Sequence, residues 1–137
     1  MSKVFIDTNI LVYAYDEADK RKQRKARQVI EKSQEEGNGV ISTQVMQEFF
    51  VSATRKLGMD ALFAKGVLDS FEGFETVVIS PSLIYSAVDY QVLSKLSFWD
   101  ALIIAAAEIS KCGTIWTEDL NPGQLVRGVR IENPLLP

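Results

Sequence analysis

Apolar and polar positions fall along this chain in blocks whose period changes from one block to the next. Val4-Phe5-Ile6 is a short continuous apolar run, the pattern of a strand covered on both faces. It ends at one carboxylate, Asp7, and the apolar pattern resumes from Ile10 to Tyr15 at the spacing of a short helix. Asp19 stands where it caps a second helix, with Ala26, Val29 and Ile30 as the inner stripe and Gly37 as the stop. Gly39-Val40-Ile41-Ser42 reads as a second strand. Gln44 to Lys56 then reads as a helix that buries Val45, Met46, Phe49, Phe50 and Ala53, with Ser42 or Thr43 as its cap. Asp60 caps another helix through Phe71, with Leu62, Phe63, Val67, Leu68 and Phe71 inside. Phe74 to Ile79 is a third strand, and Pro81 opens a helix to about Leu96 with Leu83, Ala87 and Val88 on its apolar side. Ser97 to Ala107 is the most apolar stretch and is rich in alanine, which predicts a central core helix that ends at Gly113. Thr114-Ile115-Trp116-Thr117 is a fourth strand, and Val129 to Glu132 a fifth at the sheet edge.

Strands that alternate with helices in this way imply a mainly parallel sheet of four to five strands between two helical layers, a three-layer α/β/α sandwich. The 137 residues fit one domain, 1–137, with a sizeable core. In such sheets the functional crevice lies beyond the C-terminal ends of the strands. Four acids are directed there from distant parts of the chain. Asp7 ends the first strand, Glu48 lies one turn past the second, Asp100 opens the core helix and Asp119 follows the fourth strand. Two of them also admit plainer roles. Asp100 sits where the helix dipole favours a carboxylate, and a helical glutamate such as Glu48 usually faces solvent.

Composition narrows the chemistry by what it lacks. The chain contains no histidine, which removes the usual general base and imidazole ligation of zinc. Cys112 is the only cysteine, so no intrachain disulfide forms, and its place beside Gly113 at a helix end suits a structural thiol. No apolar run approaches the roughly 20 residues that span a bilayer, and the N-terminus lacks a signal-peptide layout, the expectation for a cytoplasmic protein. The net charge is −3, yet six of the eight residues from Lys20 to Arg27 are basic: Lys20, Arg21, Lys22, Arg24, Lys25 and Arg27. That run has three readings: a solvated helix face, a patch that grips phosphates, or a docking face for an acidic partner.

Carboxylates brought together repel, and each pKa rises unless a cation balances them. Magnesium or manganese is the natural counter-ion, because hard divalent cations take oxygen ligands. A bound ion lowers the pKa of a coordinated water and polarises a phosphoryl oxygen, and a phosphodiester is the substrate class that gains most. Thr8, Asn9 and Thr117 are placed to orient such a water or a phosphate from behind the acids.

Four segments now carry a family likeness: Phe5 to Tyr13, Ile41 to Phe50, Ser97 to Ile103 and Trp116 to Leu120. Their order and spacing resemble those of the PIN domain nucleases, and within them the VapC-type toxins of toxin–antitoxin pairs. The resemblance implies a metal-dependent endoribonuclease with Asp7, Glu48, Asp100 and Asp119 around one or two Mg²⁺ or Mn²⁺ ions. It implies Thr117 as the small hydroxyl residue beside the last acid, a homodimer, and an inhibitory antitoxin that covers or enters the site. Glu118 fills a variable position and is left out of the ligand set, and no family acid is missing. The alternatives are a non-catalytic RNA- or protein-binding module and a phosphatase of the haloacid-dehalogenase type. The latter wants a second aspartate where Asn9 stands. A response-regulator receiver domain wants an aspartate at the end of the third strand, where Ile79-Ser80-Pro81 has none.

Overall fold

The computed structural model describes residues 2–137. Its strands are β1 (Val4–Ile6), β2 (Gly39–Ser42), β3 (Glu75–Val77), β4 (Thr114–Trp116), β5 (Leu125–Val126) and β6 (Val129–Glu132). The helices are α1 (Thr8–Tyr13), α2 (Lys20–Glu36), α3 (Thr43–Arg55), α4 (Ala61–Asp69), α5 (Pro81–Leu93) and α6 (Phe98–Ile109). One six-stranded sheet runs in the order β3-β2-β1-β4-β6-β5, parallel throughout except for the β5–β6 hairpin. β1 lies at the centre, with Phe5 opposite Val40 of β2 and Ile115 of β4.

The chain leaves β1 toward β3 and then returns past β1 to β4. Because parallel crossovers are right-handed, α1 to α4 cover one face of the sheet and α5 and α6 the other. Phe5, Ile6, Ile41, Ile115 and Ile131 are fully buried between these layers. On the second face, Ala101, Leu102 and Ala105 of α6 pack against Leu83 and Ala87 of α5. The small alanine side chains let the two backbones approach.

Several elements depart from the sequence reading. α1 begins at Thr8 rather than Ile10, because Asp7 caps it by accepting the Thr8 N–H at 2.7 Å. α4 stops at Asp69 and a 3₁₀ turn follows over Ser70–Gly73. Its buried stripe is Ala64, Val67 and, beyond the helix, Phe71, so Leu62 and Phe63 lie off that stripe and are exposed at 78% and 60%. The turn brings Phe71 within 5.3 Å of Phe49 and 5.9 Å of Phe74, ring centre to ring centre. In α5 the inner stripe is Leu83 and Ala87, and Val88, one position around the helix, faces out. β6 is an inner strand rather than the edge. The edge is β5, joined to β6 by Arg127 (φ 52°) and Gly128 (φ 80°), both left-handed as a type I′ turn requires.

Candidate active site

The reversal of direction between β1 and β4 opens a crevice at their C-terminal ends, where doubly wound sheets bind ligands. Asp7 leaves β1 at that point and Thr117 leaves β4 beside it. Asp7 is only 6% exposed. Its Oδ1 accepts the Thr8 N–H, and its Oδ2 accepts the Thr117 hydroxyl at 2.8 Å and the Asn9 amide at 3.3 Å. Burial pushes its pKa up to about 6. The Thr117 and Thr8 hydrogen bonds pull it down, and the nearby Asp119 and Glu48 carboxylates push it up.

Asn9 ties the two strand ends together. Its amide nitrogen also donates to Asp119 Oδ2 at 3.1 Å and Thr117 Oγ1 at 3.3 Å, while its Oδ1 accepts the Glu118 N–H at 3.1 Å. The Thr117 hydroxyl oxygen in turn accepts the Asp119 N–H at 3.1 Å. Thr8, the first residue of α1, donates through its hydroxyl to Glu48 Oε1 at 2.7 Å. Gln44 approaches the other Glu48 oxygen at 3.4 Å and donates the same amide to the Trp99 carbonyl at 3.2 Å. That carbonyl belongs to the residue before Asp100, so one buried amide links the third helix to the sixth. The remaining oxygen of Gln44, Oε1, is buried and has no partner among the described residues.

Asp100 lies in the first turn of α6, whose cap is Ser97, and the Asp100 N–H donates to the Ser97 hydroxyl at 3.1 Å. Burial raises the Asp100 pKa; Ser97 lowers it, and the Asp119 and Glu48 charges raise it further. Asp7, Glu48, Asp100 and Asp119 therefore line one cavity of about 790 Å³, together with Thr8, Asn9, Gln44 and Trp99. Among the described residues none of the four carboxylates has a Lys or Arg ion-pair partner. Their charges are left facing one another. An all-oxygen, all-anionic donor set of this kind fits a hard divalent cation and no softer metal. Among the described residues no three acidic side chains already stand close enough to enclose an ion. The donor chemistry fits such an ion.

Glu118 is held apart from this set. Its carboxylate accepts Lys22 Nζ at 2.6 Å and the Tyr13 hydroxyl at 2.7 Å, and Lys22 lies 4.7 Å over the Tyr13 ring. Burial raises its pKa, but the two hydrogen bonds outweigh it and the carboxyl sits below its usual range. Much of the basic run has internal partners. Lys20 pairs with Glu17, Arg21 donates to the Leu135 carbonyl and Arg27 to the Ala14 carbonyl. Among the described residues only Arg24 and Lys25 of the run lack a hydrogen bond or ion pair. Lys22 holds Glu118, which lines the cavity, and the basic residue in the lining itself is Lys56.

Sequence reading alone did not bring Gln44, Tyr13, Lys22 or Trp99 to this site. Gln44 carried a weak signal, its i, i+4 spacing to Glu48. Lys22 and Glu118 are 96 residues apart, and only the fold joins them.

The sequence profile of the PIN domain matches residues 4–125. The chain belongs to the PIN domain family. No curated protein matches it in sequence. Among solved structures, this PIN domain is similar to a toxin–antitoxin complex from Klebsiella pneumoniae, at 24% identity and TM-score 0.70, over 97% of this chain and 98% of the other. It is similar to VapC20 of Mycobacterium tuberculosis, a toxin that cleaves the sarcin-ricin loop, at 18% identity and TM-score 0.70, covering 85% and 92% of the two chains. A DNA-bound VapBC complex of Salmonella typhimurium matches at 16% identity and TM-score 0.70, over 98% and 99%. At these identities the likeness establishes the shared α/β/α fold.

Proposed function

We propose that this PIN domain is an endoribonuclease that uses Mg²⁺ or Mn²⁺ to hydrolyse RNA phosphodiester bonds, and that it is the toxin of a toxin–antitoxin pair. The observation that carries the reading is the cavity with four carboxylates and no cationic side chain paired to any of them. Asp7, Glu48, Asp100 and Asp119 would hold the ion. When bound, the ion supplies charge neutralisation, polarisation of a phosphoryl oxygen and a lowered pKa for a coordinated water.

The chain's own contribution is placement. Thr8 N–H and the Thr117 hydroxyl fix both oxygens of Asp7, and the Thr8 hydroxyl fixes Glu48. Asn9 sets the separation of Asp7 and Asp119. β1, buried over its whole length, keeps Asp7 in place while solvent and substrate exchange in the cavity. With no histidine, proton transfer within the cavity falls to carboxyl groups or water.

The toxin reading is supported by the similar structures, two of which are toxin–antitoxin or VapBC complexes. On it, residues 1–137 act as a single PIN domain in the cytoplasm, as a homodimer whose antitoxin covers the cavity. Purified protein free of antitoxin should cleave RNA with Mg²⁺ or Mn²⁺ and not with EDTA. Asp7→Asn and Asp100→Asn should each abolish cleavage and toxicity while the fold persists. Full activity in either variant would refute the carboxylate site.

A further inference from the structure

The cavity is lined by apolar as well as acidic residues, and the largest of the apolar ones is strongly exposed. Trp99 stands immediately before Asp100 in the first turn of α6 and lines the same cavity as the four acids, yet 61% of it is exposed. An indole left largely in water carries an unfavourable apolar surface that a ligand can cover. We infer that Trp99 is the stacking platform for an unpaired nucleobase of the RNA strand whose phosphate lies at the carboxylates. This rests on the nuclease reading and adds to it a residue that positions a base beside the cleaved phosphate.

The surroundings of Trp99 support a platform rather than a loose side chain. Its carbonyl is held by the buried Gln44 amide, and its helix is capped by Ser97. The Phe98 ring meets the indole edge-on, with centroids 5.2 Å apart and planes at 79°. The anchor on one side is therefore fixed, and most of the ring faces solvent. A strong π-face on a fixed backbone is what base stacking requires, because little conformational freedom is lost on binding.

Charge favours a base over other occupants. With no ion bound, a cavity lined by four carboxylates repels an approaching phosphodiester chain; one basic residue, Lys56, stands in its lining, and Lys22 is bound to Glu118. A contact that negative charge does not penalise adds binding energy beside the acids. Stacking on a neutral ring is such a contact, and every base offers a π-face.

The chain provides its own spectroscopic reporter. The only other tryptophan, Trp116, lies on β4 and lines a different cleft with Lys3 and Asn38. An oligoadenylate hexamer titrated into the protein, with Ca²⁺ as the divalent ion, should quench tryptophan fluorescence. The quench should survive Trp116→Phe and vanish in Trp99→Phe. By anisotropy of a labelled hexamer, Trp99→Ala should lose about ten-fold or more in affinity, and Trp99→Tyr should recover most of it. An abasic hexamer should bind wild type and Trp99→Ala alike, and in cleavage assays the Trp99→Ala defect should fall on KM rather than kcat. The inference is overturned if Trp99→Ala binds the hexamer as wild type does, or if the abasic strand quenches equally. It is also overturned if Trp99 fluorescence follows protein concentration instead of RNA, which would assign the indole to a second copy of the chain. A protein that quenches on the hexamer but cleaves no RNA under any metal would refute the nuclease reading while leaving the platform standing.

Discussion

Asp7→Asn separates what the site costs the fold from what it provides for chemistry. In the metal-free protein the Asp7 carboxyl titrates near 6, against 3.8 for an unburied aspartate, mainly because burial penalises the ion. Below about pH 4 both the folded and unfolded chains hold the proton, and the aspartate costs nothing. As pH rises the unfolded chain ionises first, so stability is lost progressively and the full penalty is present above about pH 6. A shift of about two units corresponds to about 3 kcal/mol. Asparagine removes that penalty and keeps the Thr8 N–H bond through its own oxygen. Its NH₂ then meets a Thr117 hydroxyl already accepting from Asp119 and Asn9, which costs about 1–2 kcal/mol. The net gain is about 1–2 kcal/mol, or about 5 °C in Tm for a chain of this size. Thermal melts in EDTA from pH 4 to pH 8 should show Asp7→Asn behind wild type at pH 4, where only the cost at Thr117 remains, and ahead of it at pH 8. Saturating Mn²⁺ should then reverse the order, because only wild type gains from binding. A variant less stable than wild type at pH 8, or a difference that ignores pH, would refute the reasoning.

Gln44→Leu removes the amide between Glu48 and the Trp99 carbonyl along with an unpartnered buried oxygen. Its Tm should move by only a few degrees while Mn²⁺ affinity, read by calorimetry, falls about ten-fold, the usual cost of losing a group that orients a ligand. Lys22→Met frees Glu118 beside Asp119. Unfolding in urea should change by less than about 1 kcal/mol, and the apparent metal requirement for cleavage should rise. Gly39→Ala places a Cβ 2.7 Å from two Phe74 ring atoms on a buried strand. It should cost about 1–3 kcal/mol in urea unfolding, and Phe74→Leu in the same chain should recover part of it.

The centre of the fold was readable from local pattern, and its periphery was not. β1 and β2 announce themselves because both faces are covered and every position is apolar or small. The α4 stripe was misread because large apolar residues drew attention, whereas the residue that marks the inner face is the small Ala64. β5 went unseen because its turn is Arg127-Gly128, where a hairpin usually advertises Asn-Gly, and the strand itself is only two residues long. Asp7, Thr8 and Asn9 follow β1, Thr117 and Asp119 follow β4 and Glu48 lies in the helix after β2, positions that strand–helix alternation sends to one edge, whereas Asp100 opens a helix. Gln44, Lys22 and Trp99 were not legible, because their roles depend on which helix packs beside which.

The central claim is that Asp7, Glu48, Asp100 and Asp119 form one divalent-cation site, and a calorimetric Mn²⁺ titration at pH 7.5 tests it most directly. Wild type should bind one or two Mn²⁺ ions. Asp7→Asn and Asp100→Asn should each lose at least one site. Wild type that takes up no Mn²⁺, or variants that bind it as wild type does, would contradict the account.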